Sequence, residues 1–249
     1  MKEVTKQQVI EALKAVGVQP GDGLLVHSAL QFLGRPVGGM GMYFEALCEA
    51  VPRGTLAVPT FNFAFARGEP YDPQAAPSVG MGILSEYARQ QPGALRTPHP
   101  MQSLAVIGAY AADLAARDTS SAFDPGSPFE RMLELGFKIL LLGADIDAIS
   151  MIHYSEQRYN VPYRYWKEFT GQVHTPTGWE ERTYRMYARD LELDPHLTLH
   201  SVRDYLHAQN QYYSTPLNYG QVALIHMTDF VSTVDCFLAA DPFSLMIPD

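Results

Sequence analysis

The 249-residue sequence has only two cysteines and two tryptophans, carries little positive charge, and contains no long apolar run. Each shortage excludes something. With 18 Lys and Arg against 27 Asp and Glu, the formal net charge is −9, so the basic face that grips nucleic acid irrespective of sequence is missing. The same acidity suits a cationic small molecule, although it also serves plain solubility. No stretch approaches the ~18 consecutive apolar residues that cross a bilayer. The opening Lys2-Glu3-Val4-Thr5-Lys6 leads directly into a polar helical pattern rather than a leader peptide. A cytoplasmic protein that touches neither membrane nor nucleic acid is expected. Cys48 and Cys236 lie far apart with no Cys or His at metal-ligand spacing, so they are expected to be buried free thiols.

What is present is the composition of a folded globular protein, 47% hydrophobic and 11% aromatic, at a length that one domain over residues 1–249 accommodates. Val9, Ile10, Leu13 and Val16 recur at helical spacing before Gly17, which predicts a helix from Thr5 to Val16. A strand follows at Leu24–His27, then a helix Tyr43–Ala50 and a strand Thr55–Pro59. Residues Phe61 to Ser78, rich in proline and aromatics, read as a loop over a site, and Gly80–Gln91 as a helix. Beyond lie a strand Ser103–Ile107, a short helix Ala111–Ala116, and a helix Pro128–Leu135 capped by Ser127. Lys138 to Leu142 is short and uniformly apolar after its lysine, the mark of a central strand buried on both faces.

The C-terminal third is richer in strand signals, with a hairpin of Thr170–Val173 and Arg182–Tyr187 around Thr177-Gly178. A helix Ser201–Ala208, a strand Gln221–His226 and a helix Phe230–Ala240 complete the chain. The alternation predicts a layered α/β/α fold with a central, mostly parallel or mixed sheet.

Three segments bear chemistry. After the central strand, Asp147 is a candidate N-cap for a helix beginning near Ala148, on which His153 and Glu156 share one face three residues apart. A carboxylate there can orient the imidazole and leave its other nitrogen free to take a proton, at the strand ends where α/β folds place ligands. The same spacing is also common on solvated helix faces. In Arg96-Thr97-Pro98-His99-Pro100, two prolines hold His99 rigid before a strand, which suits either ligand positioning or a histidine bonded to nearby backbone. The run from Val26 to Gly39 takes a strand into a glycine-bearing loop ahead of a helix, where free amides can cradle phosphates, but it matches neither the dinucleotide nor the Walker pattern. His196 and His200 have zinc-like spacing, but Pro195 and the loop-like surroundings argue against a metal site, and none is expected. Ser28 as a nucleophile lacks a Gly-x-Ser-x-Gly elbow.

In order, these pieces resemble the aminoglycoside 3-N-acetyltransferases, also called antibiotic N-acetyltransferases. The blocks are Gly21 to Leu30, Val37-Gly38-Gly39, Tyr71-Asp72-Pro73 with Pro77 to Gly80, Pro92 to Pro100 with Ser103, Gly126-Ser127-Pro128, Leu140 to Ala144, and Ile152 to Glu156. Where the family usually has Gly-Gly before the central strand, this chain has Gly136-Phe137.

The resemblance implies an α/β fold distinct from the GNAT acetyltransferases. It implies transfer of an acetyl group from acetyl-CoA to a primary amine of an amino sugar or aminoglycoside-like acceptor, by direct attack on the thioester. His153 would be the base and Glu156 its partner. CoA would run along Ser28, Ala29, Leu30, Gly34, Arg35 and Val37, with Arg96 or Arg35 offsetting phosphate charge, and with His99, Ser103, Phe123 and Ser127 near the thioester. Ser103 or Ser28 would steady the oxyanion. The acceptor would meet elements in 61–78 and 158–215, among them Phe61, Tyr71, Asp72, Tyr163 and Arg164. A homodimer is left open. The alternatives are an acyl-CoA thioester hydrolase and a non-catalytic CoA-binding relative.

Overall fold

A computed structural model of the chain describes residues 2–193 and 196–247. Pro195, which interrupts the His196/His200 spacing, lies outside the described residues. The chain runs through β1 (Glu3–Val4), α1 (Lys6–Ala15), β2 (Gly23–Ser28), β3 (Arg35–Pro36), α2 (Gly41–Ala50), β4 (Thr55–Pro59) and α3 (Ile83–Arg89). It continues through β5 (Leu95–Arg96), β6 (Leu104–Gly108), α4 (Ala111–Ala115), α5 (Pro128–Glu134), β7 (Lys138–Leu142) and α6 (Ile152–Tyr159). The last elements are β8 (Arg164–Thr175), β9 (Gly178–Arg189), α7 (His200–Ala208), β10 (Tyr212–Leu217), β11 (Gly220–His226) and α8 (Met227–Ala240).

A seven-stranded sheet of order β10-β11-β7-β2-β4-β6-β5 is the middle layer. Its central trio β7-β2-β4 is parallel and the outer pairings are antiparallel, so the sheet is mixed. Strand side chains alternate between two cores, as the two-residue period requires. Leu24, Val26, Leu140 and Leu142 pack under α1, α2 and α3. Leu25, Ile139 and Leu141 pack on the opposite face with Phe129, Ile152, Val202 and Phe230, which come from α5, α6, α7 and α8. A separate ribbon of β8 and β9 sits against Phe65, Tyr71 and Met101 through Val173 and Tyr184.

Local chemistry sets several boundaries. Thr5 and Gln8 form a reciprocal capping box at the start of α1. Ser127 accepts from the Glu130 amide at the start of α5, where Pro128 occupies the first turn. The helix expected from Gly80 begins only at Ile83, because Gly80 (φ 76°) and Gly82 (φ 84°) adopt left-handed backbone incompatible with a right-handed helix. The hairpin is longer than its sequence signal, twelve residues per strand, since outward polar residues hide its alternation. Strand β10 had no sequence signal; it is an edge strand that tolerates Pro216. Cys48 is half-buried but Cys236 is exposed, correcting the expectation of two buried thiols: α8 buries Phe230, Val231, Thr233, Val234 and Leu238 and turns Cys236 outward.

Phe137 has a structural counterpart in Gly23. Its ring is fully buried and lies against Gly23, where any Cβ would collide with it. The bare backbone of β2 thus makes room for the ring. Phe137→Ala is expected to lower stability by about 3–5 kcal/mol through cavity formation, read as a lower urea midpoint with an unchanged slope. Gly23→Ala is expected to destabilise as well, by overpacking against the ring.

Candidate active site

Strand β7 delivers the chain to the crest of the sheet at Gly143. A single 3-10 turn, Ile146–Ala148, comes next, and α6 starts at Ile152. Asp147 therefore does not cap α6, as the sequence suggested. Asp145 caps the 3-10 turn, and the Asp147 carboxylate accepts from the Leu199 amide at 2.5 Å instead.

On α6 the His153 Nδ1 lies 2.6 Å from Glu156 Oε2. The imidazole is 30% exposed, whereas Glu156 is completely buried. Arg164, the first residue of β8, brings its Nε to 2.9 Å from Glu156 Oε1, in an ion pair rather than an aligned hydrogen bond, and its Nη1 donates to the Tyr187 carbonyl at 3.3 Å. Burial alone would raise the Glu156 carboxyl, but His153 and Arg164 outweigh it and hold the group below the usual carboxylate range. An ionised carboxylate can only accept, so Nδ1 is the donor and Nε2 is the nitrogen left for a reacting proton. The Phe123 ring meets the imidazole edge-on at 5.7 Å and rests on Phe129 at 4.5 Å.

Beside this pair lies a network without a motif in the sequence. Gln157, one turn beyond His153, donates to Asp124 at 2.9 Å and accepts from Ser121 at 2.7 Å. Arg185 of β9 pairs with Asp124 at 3.1 Å and stacks on Trp166 of β8 at 4.2 Å. The loop carrying Phe123 is thereby tied to both α6 and the ribbon. The only sequence trace was Gln157's place four residues after His153 on the same face.

The expected cofactor residues fall into two groups. Ser28, Leu30, Gly34 and Arg35 line one cavity of about 330 Å³ with Met40 and Ile83. Ala29 is partly buried beside it, and Val37, next to the lining Pro36, is exposed. Gly34 (φ 99°) is required there, because a Cβ would press on the Lys2 carbonyl and the Asn218 amide. Arg35 is exposed and paired with Glu3.

In the second group the polar groups face inward. Arg96 donates to Ser103 Oγ at 2.9 Å and to the Thr60 and Pro73 carbonyls at 2.5 and 3.3 Å, and lies over the Tyr71 ring. Ser103 donates to the Thr60 carbonyl at 3.0 Å. His99 accepts from the Gln102 amide at 3.2 Å, and its Nε2 reaches the Arg185 carbonyl at 3.3 Å. Ser127 is occupied as the α5 cap. Of the expected acceptor residues, Phe61, Tyr71 and Tyr163 are buried, Arg164 faces Glu156, and Asp72 holds a turn through the Gln74 amide.

A larger cavity of about 610 Å³, lined among others by Arg89, Asp118, His174, Arg182 and Tyr184, includes neither His153 nor Ser28. Two of its cations are ion-paired, Arg89 with Glu86 and Arg182 with Asp118 and Glu180, while Arg96, which also lines it, is held by Ser103 and backbone carbonyls. Asp145, Asp147 and His200 cluster on the surface, where exposed carboxylates commonly gather without an ion.

The site is a carboxylate-backed histidine at the crest of a mixed-sheet α/β fold. The chain belongs to the aminoglycoside 3-N-acetyltransferase family, whose sequence profile matches residues 25–239. It is similar to aminoglycoside N(3)-acetyltransferase III of Salmonella sp, 34% identical over 181 residues, 65% of this chain and 63% of that protein. The chain thus matches a little under two thirds of that relative's length. Among solved structures it resembles "AAC-VIa bound to Sisomicin" (28% identity, TM-score 0.84, 96% of this chain and 98% of that one). It shares its fold with "AAC-IIIb binary with CoASH" (23%, TM-score 0.83, all of both chains).

Two buried histidines make stability depend on pH. Burial lowers His99 to about 4 and His27 to about 3, against an ordinary value near 6.5. The unfolded chain then binds more protons than the folded one below pH ~6.5, so the stability they contribute is complete above that pH and is lost as pH falls toward about 4 for His99 and about 3 for His27. The slope is about 1.4 kcal/mol per pH unit for each histidine. Melting temperature is expected to fall between pH 7 and 5, and His99→Asn is expected to flatten that fall whatever it does to stability at pH 7.

Proposed function

We propose that the chain transfers an acetyl group from acetyl-CoA to a primary amine of an amino sugar or aminoglycoside-like acceptor, with His153 as general base. The observation that carries this reading is the 2.6 Å bond from His153 to a fully buried Glu156. Family membership and the CoA and sisomicin named for its structural neighbours support the choice of donor and acceptor class.

The residues at the crest suit a CoA thioester. The 330 Å³ cavity joins apolar Leu30, Met40 and Ile83 to the polar Ser28 and Arg35, a lining that matches an amide-bearing arm ending near phosphate. Positive-φ Gly38 and Gly39 adjoin it with open space where a Cβ would stand. When bound, the thioester supplies an activated acyl carbon with a good leaving group.

Glu156 holds the imidazole through Nδ1, and Nε2 takes one proton from the acceptor's ammonium, exposing the nitrogen lone pair. That lone pair bonds to the acyl carbon as the carbon–sulfur bond breaks. The acylated nitrogen gives up its second proton to solvent and the departing sulfur recovers the first from the imidazolium, so His153 ends the cycle neutral and one proton is released overall. Ser28 Oγ, which lines the cavity, is the hydroxyl available to the developing oxyanion, since Ser103 donates inward. Among the described residues no hydrogen bond joins Ser28 to an imidazole, which disfavours a serine hydrolase in the same cleft.

His153→Ala is expected to lower kcat roughly 10²–10⁴-fold, the usual worth of a positioned base, in protein confirmed to be folded. Glu156→Gln is expected to fall in the same direction. Normal turnover by His153→Ala with an amine acceptor would remove the base assignment.

A further inference from the structure

We propose that Arg164 is a positioning residue that sets the proton affinity of the His153–Glu156 pair. Its guanidinium balances the charge of the buried carboxylate that orients the imidazole. This rests on His153 being the base.

The geometry is specific. Glu156 is wholly buried, with His153 Nδ1 at 2.6 Å on one oxygen and Arg164 Nε at 2.9 Å on the other. Arg164 is only 10% exposed, and its Nη1 is anchored on the Tyr187 carbonyl of β9. Its location in the base of the ribbon makes it a fixed charge, not a surface arm reaching for ligand.

Other titratable groups stand near the pair, and Arg189 of β9 lies opposite Arg164 in the ribbon. Tyr163, just before β8, is buried, and burial and the Glu156 carboxylate push its phenol up, so it stays neutral. The Tyr187 hydroxyl donates to the Val161 carbonyl at 2.6 Å. From the 119–127 loop, Phe123 is apolar, and Asp124 is neutralised by Arg185 and reached only through Gln157. Arg158 of α6 points away and pairs with Asp235 of α8 at 2.9 Å, while Tyr154 turns to Glu130 of α5. Arg164 is therefore the cation in direct contact with the buried carboxylate.

Charge counting gives the sign. With Arg164 present, the three groups are neutral overall, and protonating the imidazole leaves a net positive charge in a largely buried place. Without it, His153 and Glu156 together are negative, and an added proton neutralises them. Removing the guanidinium thus raises the pair's affinity for a proton, whichever of the two holds it. An opposite charge at this distance is worth about 1–3 pH units.

The test follows kcat/KM against pH for Arg164→Gln, Arg164→Met and Arg164→Lys, with Arg158→Gln as a control outside the site. In parallel, the His153 imidazole is titrated by nitrogen NMR in the absence of substrates. The expected result is an acid limb and an NMR midpoint displaced upward by about 1–3 units in the Gln and Met variants, with activity recovering at high pH. Arg164→Lys and Arg158→Gln are expected to keep the wild-type limb. Met preserves the packing of the side-chain stem should Gln impair folding. An unmoved limb and midpoint in folded Gln or Met variants would overturn the proposal, as would a Lys variant displaced as far as Gln, which would assign the effect to shape instead of charge. The NMR midpoint reads charge balance without turnover, so a failure of the base assignment, seen as an active His153→Ala, remains distinguishable.

Discussion

The constraint on which the rest of the site depends is a negative charge out of reach of water. An uncompensated buried carboxylate costs several kcal/mol, so Glu156 has to be matched by groups brought from elsewhere in the chain. His153 matches it from the same helix and Arg164 from the ribbon, and these two contacts fix how α6 and β8 meet. The Tyr187 carbonyl that receives Arg164 and the Arg185–Asp124 pair extend the same attachment to β9 and to the Phe123 loop. A charge that looks like a catalytic detail is thus also the point where ribbon, helix and loop are joined.

The sheet divides the work. Parallel strands β7, β2 and β4 run to the crest together, where Ser28 lies beside Leu142 and Gly143. The segment after β2 supplies a narrow, glycine-lined cavity, and the segment after β7 supplies a rigid imidazole. A second cluster, Arg96, Ser103 and Thr60 under Tyr71, does not face that cavity; it clamps the 60–78 loop to the start of β6. Polar residues in a cleft-forming loop have two possible employments, holding a ligand or holding the loop. Hydrogen-bond saturation separates them here.

Much of the framework was legible in the sequence because it rests on local signals. The apolar run of β7, the Ser127 cap with Pro128 behind it, and the Thr177-Gly178 turn each depend on residues within a few positions of one another. The His153–Glu156 pair was legible for the same reason, being three residues apart on one helix. What escaped depends on distant partners. Nothing near Arg164 in the chain shows that its guanidinium turns inward to Glu156, and nothing near His99 shows that it meets the Arg185 carbonyl of a strand far along the chain. Asp147 looked like a cap because it precedes apolar residues, but a 3-10 turn and the Leu199 amide claimed that stretch. Edge strand β10, polar and interrupted by Pro216, is specified by its neighbour β11 instead of by its own pattern.

The proposed role of His153 is to prepare an amine for acylation. The most direct measurement is thiol release from acetyl-CoA by the intact chain, followed with and without a panel of amino sugars, nucleotide-linked amino sugars and aminoglycosides. The account predicts release that depends on an acceptor and matches, mole for mole, an acetyl group gained on its amine. Release at the same rate with no amine present would contradict it and point to hydrolysis.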